Sequence, residues 1–231
     1  MPRWTTQDPL AEKYFSISPY AYCAANPINL TDPTGRSIWI ILNYDKQTGK
    51  IKEEVQYKEG KLFTRDGNEY SGDNEYAKTI LETLNELKNS NDDKESEVLS
   101  TLEKSTLAHK FVNQTNIRET RPAGFDGQSK ANIGIRVGSF IRFDLSMEQE
   151  DYGVKLGPKD GIVHELYHAY DLDSGNMAGE YDGSPPNAND PAEIRAVNFA
   201  NRYRVRHGLP QRVSYGNVLI SPKKLKNPWA K

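Results

Sequence analysis

Between Gly161 and Asp171 the chain reads Gly-Ile-Val-His-Glu-Leu-Tyr-His-Ala-Tyr-Asp. His164 and His168 stand four positions apart, which on a helix puts both imidazoles on one face. Two neutral imidazoles on one face can grip a single borderline-soft ion, and zinc (Zn2+) suits them. Glu165 follows the first of the pair. A carboxylate there can act as general base, taking a proton from a metal-activated water as it attacks a carbonyl carbon. A surface His pair, or a plain His–Glu ion pair, would show the same spacing. Against that, Ile162, Val163, Leu166 and Ala169 give the helix an apolar body, and two of the chain's 4 histidines fall in this one motif.

Catalytic zinc sites usually take three protein ligands plus water. One Cys, Cys23, excludes a cysteine-based site and an intrachain disulfide, so the third ligand must be His or carboxylate. Glu193 is the candidate, near the start of the next helical stretch. It has a competing role. Asp190-x-x-Glu193 is also a capping box, in which Glu193 would bond back to the N-cap amide. Asp190, Asp182, Glu180 and His207 stand in reserve. Asp171 could support the His168 side of the helix, since metal-bound His usually donates its other N–H to an acceptor. Tyr215, Arg195 and Tyr167 are candidates for stabilising the oxyanion, and the spacing does not distinguish them.

The elements that must position these groups are legible in part. Ile38–Tyr44 reads as a buried strand, and Ile51–Tyr57 and Lys61–Arg65 as a meander around Lys58–Gly60. A helix capped by Asp73 should run to Lys88 with Tyr76, Ile80, Leu84 and Leu87 inward; a second should reach Ser105 with Val98, Leu99 and Leu102 inward. His109–Gln114 reads as a strand, with His109 partly buried. Arg118–Lys130 lacks periodicity and reads as a loop. Asn132–Asp144 reads as two strands kinked at Gly138-Ser139, either a core hairpin or a free edge able to hold substrate backbone. Met147–Gly157 reads as a polar loop. The metal-binding helix should open at Pro158-Lys-Asp160 and stop near Leu172. Residues 173–189 read as a long loop. A helix with N-cap Asp190, Pro191 at its first position and a stop at Gly208 follows, with Ile194, Val197 and Tyr203 inward. The tail from Leu209 should be extended or turn-like. The expected class is α+β, a small mixed sheet beside the metal-binding helix and its successor.

Net charge is -2, with 30 basic and 32 acidic side chains, so bulk electrostatics suggest neither a nucleic-acid nor a membrane-surface partner. The longest apolar run, Ile38–Leu42, is too short to span a bilayer. No basic-then-apolar signal peptide opens the sequence, so export would need a signal elsewhere or a larger carrier.

Two resemblances add expectations. Residues 1–36 are rich in Pro, Tyr and Asn. Their pattern Asp8-Pro9-Leu10, Pro19-Tyr20-x-Tyr22-Cys23, Asn26-Pro27 and Asp32-Pro33-x-Gly35-Arg36 resembles the end of the core of RHS/YD-repeat proteins. That resemblance implies a missing β-shell, a seam at Asp-Pro-x-Gly, and a toxin domain over 37–231. The His-Glu-x-x-His stretch with the Ala192-Glu-Ile-Arg-Ala196 helix resembles zincin metallopeptidase domains at the ends of RHS effectors, with a gluzincin-like His164, His168, Glu193 set. It implies a secreted or injected bacterial toxin that hydrolyses a peptide bond in a target-cell protein, with a cognate immunity protein as a possible partner. Two other readings stay open: a non-catalytic binding module keeping a relic helix, and a zinc hydrolase of a non-peptide substrate.

Overall fold

The structure, a computed structural model, describes residues 37–45, 48, 50–180 and 186–228. The RHS-like run with Cys23, the proposed boundary at residue 36, and Asp182 lie outside the described residues. Within them the chain is α+β. The first strand, β1 (Ser37–Tyr44), is the apolar run of the sequence, and Ile38 and Ile40 are fully buried. A two-residue turn at Glu59 and Gly60, both at positive φ, joins β2 (Ile51–Lys58) to β3 (Lys61–Thr64); that twist suits a tight hairpin. Two amphipathic helices follow, α1 (Glu75–Lys88) and α2 (Asp93–Glu103), with the expected apolar residues inward. The N-cap of α1 is Asn74, whose side chain accepts from the Ala77 amide, rather than Asp73.

Strand β4 (Ala108–Asn113) pairs parallel with β1. Arg118–Pro122 then forms a strand, β5, where the sequence suggested a loop, and Gly127–Asn132 a short helix, α3. The reason is positional. The sheet runs β3-β2-β1-β4-β6-β5, with β6 at Ser139–Phe143, so β5 is an edge. Edge strands tolerate charge and proline, and Arg-Glu-Thr-Arg-Pro carries no apolar alternation to betray it. The Asn132–Asp144 expectation fails in its first half. Ile133 and Ile135 are exposed and outside any strand. The second half, β6, lies between β4 and β5. The free edge beside the His164–His168 helix is therefore β5, not the segment immediately upstream of that helix. The Met147–Gly157 loop is also more ordered than expected: β7 (Gln149–Asp151) and β8 (Val154–Leu156) make a hairpin.

Register sets what faces the helices. Ile40, Phe111 and Ile141 align across β1, β4 and β6, and all three are fully buried. Thr120 lies opposite Ile141, and Arg118 opposite Phe143. Helix α4 (Pro158–Ser174) packs on this face, touching α1, α2, α5 (Pro191–Arg206), β5 and β6. Its approach is close at Gly161, where a Cβ would lie 2.9 Å from the Phe143 ring. It ends at Gly175, which is left-handed with φ 73 and where a Cβ would lie 2.5 Å from the Gly134 carbonyl oxygen. Any side chain would be strained by the backbone and blocked by that contact. The tail carries a small hairpin, β9 (Ser214–Tyr215) with β10 (Val218–Leu219). No helix among the described residues is long and apolar enough to cross a membrane.

Candidate metal centre

Helix α4 is buried nearly all round, so its polar side chains need partners inside the protein. His164 and His168 rise from it toward α5. Glu193, in the first turn of α5, reaches back to both. Its Oε2 lies 3.1 Å from His164 Nε2 and 3.3 Å from His168 Nε2, and the two Nε2 atoms are 3.2 Å apart. The three atoms form a nearly equilateral triangle. A tetrahedral ion with bonds of about 2.0 Å imposes ligand–ligand edges of about 3.3 Å. The donor set and its spacing fit a metal ion, and all three residues are buried.

Glu193 does not make the capping box. Asp190 is the backbone N-cap of α5, but its side chain makes no cap hydrogen bond. Its carboxylate instead accepts from the backbone and side-chain amides of Asn187, at 2.8 and 3.0 Å. With Pro191 at the first helical position, one orphan amide is absent anyway. Glu193 is thereby left to the histidines.

The electrostatics are those of a dry, tightly coupled group. Burial pushes His164 down to about 4. Burial also acts against the charged form of His168, but the neighbouring Glu193 carboxylate outweighs it and lifts His168 to about 9. Glu193 is held far below the carboxylate range: the two imidazoles overcome its desolvation. Glu165 is different. Burial raises its carboxyl to about 7, close to the working range of a general base at neutral pH. The Thr120 hydroxyl lies 2.9 Å from Glu165 Oε2 and 2.8 Å from the Glu165 carbonyl, which fixes the carboxylate to the edge strand.

Comparison with family models, with curated proteins and with solved structures found no match. Function is accordingly read from the site.

The remaining candidates fall into place unevenly. Tyr215 stacks on His164 with ring centroids 6.1 Å apart, and burial, with the Glu193 and Glu165 carboxylates nearby, raises its phenol. Asp171 accepts from Arg195 Nε at 2.8 Å and from Asn176. Arg195 also pairs with Glu180, so it clamps α5 to the loop after α4 rather than facing the histidines. Tyr167 packs on Phe199 and Tyr170. His207 stacks on Tyr203, and Glu180 and Asp190 are engaged as described. His164 Nδ1 is buried without a hydrogen-bonding partner among the described residues, a departure from the usual support of a metal-bound imidazole.

Several contributors were not visible in the sequence. Thr120 touches Glu165, and Arg118, Arg204 and Arg212 line a cleft beside His164 and Glu165. The signal for Thr120 was the alternation Arg118-x-Thr120-x-Pro122, which puts these three on the helix-facing side of β5. Nothing in the tail marked Arg212.

Proposed function

We propose that the chain carries a zinc-dependent metallopeptidase domain of zincin type, a toxin or effector that cuts a protein of a target cell. One observation carries the reading. His164, His168 and Glu193 converge on one point, with Glu165 next to them at the mouth of a cleft. A bound zinc ion would supply Lewis acidity toward a carbonyl and toward water. The protein's own groups do the rest. His164, His168 and Glu193 would hold the ion. Glu165 takes a proton at its carboxylate and returns it to the leaving amine. Thr120 donates to Glu165 Oε2 and keeps that oxygen aligned. The Tyr215 phenol bonds to the Glu193 side chain and would turn from it to donate to the developing oxyanion. The packing of α4 on the sheet keeps bulk water from all but the cleft side. The β5 edge beside Glu165, and a third ligand, the acidic Glu193, supplied from the following helix, both support the zincin assignment.

The RHS resemblance of residues 1–36 supports delivery as the tail of a larger secreted effector, with an RHS shell upstream and an immunity protein as partner. The test is elemental analysis together with digestion of an unstructured protein such as casein. The wild type should hold one zinc per chain and cleave. No zinc after supply of the metal at neutral pH, or zinc without cleavage of any protein or peptide, would overturn the reading.

A further inference from the structure

We propose that the cleft beside the metal centre is a specificity pocket for a substrate carboxylate next to the cut bond, and that Arg212 reads it. The position of the bond rests on the hydrolase reading above; the charge preference rests on the cleft itself.

A small cleft of about 50 Å³ opens against His164 and Glu165, and three arginines wall it. They differ in what already occupies them. Arg204 is fully engaged: it pairs with Asp160 and donates to the carbonyls of Pro210 and Lys155. Arg118 donates to the carbonyls of Asp144, Met147 and Leu156 and to the Gln149 side chain. Those bonds satisfy its N–H groups without cancelling its charge, and no carboxylate among the described residues lies in ion-pairing range of it. Arg212 is the decisive case. Its Nε donates to Asp151 Oδ2 at 2.7 Å. Its two terminal nitrogens make no hydrogen bond among the described residues, although the residue is only 6% exposed.

The guanidinium's terminal fork makes no hydrogen bond within the described residues and opens on the cleft, where an acceptor can replace water. A carboxylate offers two parallel acceptors of matching geometry. The position also fits. The Arg212 guanidinium lies 4.8 Å over the Tyr215 ring, and Tyr215 stacks on His164. One aromatic ring thus separates the fork from a metal-binding imidazole. That distance suits a group beside the scissile bond, not the scissile carbonyl itself. Arg118 adds positive charge from the β5 side of the same cleft.

Two sources can present the carboxylate: an Asp or Glu side chain, or the substrate's free C-terminus. The test uses three fluorescein-labelled heptapeptides of alanine differing in one feature. One has central Glu and an amidated end, one central Gln and an amidated end, and one central Gln with a free C-terminal carboxylate. Binding is read by anisotropy on zinc-supplied E165Q protein, and cleavage by mass spectrometry on the wild type. At least tenfold tighter binding of the Glu amide over the Gln amide supports the pocket and an acidic side chain. The same preference for the free-carboxylate peptide supports the pocket and a chain end. Because R212Q alone strands Asp151, the paired variant D151N/R212Q is used, and it should bring either preference below twofold. Succinate, and not succinamide, should displace the preferred peptide from the protein without that double change. Equal binding of all three peptides, no binding of any, or a preference that survives D151N/R212Q overturns the proposal. Selective binding without cleavage would sink the hydrolase reading and leave the pocket. Unselective binding with cleavage would do the reverse.

Discussion

Helix α4 carries a buried histidine cluster on its flank and another at its C-terminal end, and they behave differently. At the C-terminal end, His109 of β4 lies 2.9 Å from Ser139 Oγ through Nδ1 and 3.3 Å from Asp173 Oδ1 through Nε2. Asp173 also accepts from Ser105 and Arg136. The string Ser139–His109–Asp173 has the residue types of a hydrolytic triad, yet each of the three is 0–1% exposed. Every partner is taken and no substrate can enter. Along the flank of the helix, two Nε2 atoms and one carboxylate oxygen face a common point, His164 Nδ1 has no partner among the described residues, and a cleft runs alongside. Both places set histidine against a carboxylate inside the protein. What distinguishes a site is donor capacity that the protein leaves unmet, together with a way in. The closed cluster ties the end of α4 to β4 and β6; the open one could hold a cation.

Substitutions can break that contrast. The largest effect should come from H164A and E193A, which remove a corner of the triangle: zinc content measured by elemental analysis should fall from one per chain to a trace. Retention of stoichiometric zinc by E193A would return that residue to the helix terminus. Next, E165Q should keep its zinc and lose about 10²–10⁴-fold in turnover, the usual contribution of a general base; full activity would remove Glu165 from that role. At the closed cluster, D173A strands His109 and Arg136. It should lower unfolding stability by about 1–3 kcal/mol in a denaturant titration, the cost of leaving a buried partner unsatisfied, while the protein that remains folded still takes up zinc. Loss of zinc with no loss of stability would erase the distinction. The smallest effect should be that of T120V. Loss of one hydroxyl partner is worth about 0.5–1.5 kcal/mol, expected as a roughly threefold to tenfold fall in turnover with zinc content unchanged.

The sequence revealed the parts whose signals are local. His164 and His168 fall at helical spacing, Pro191 and Asp190 mark the start of α5, and the inward residues of α1 and α2 follow their periodicity. Glu193 stayed divided between two roles because the choice depends on where Asp190 turns its side chain, and Asn187 decides that. The strand β5 escaped because an edge beside a helix can be polar on both faces. His109 escaped because its partners Ser139 and Asp173 lie 30 and 64 residues away. Ile133 and Ile135 misled for the opposite reason: they alternate like a strand but lie exposed on a segment that crosses the end of α4. Arg212 sits in an irregular tail, and only the folded chain brings it to the cleft.

The enclosure of α4 has a kinetic side. Sheet and helices cover it along its length, so its central amides have no local route to solvent. Their hydrogen exchange should proceed only through opening of the whole domain. A cation held by α4 and α5 stabilises the closed state by mass action, and its effect would spread beyond those two helices. Protection would rise together at Ile162, at Phe111 in the middle of the sheet and at Ile80 in α1, making exchange far from the histidines a gauge of occupancy between them.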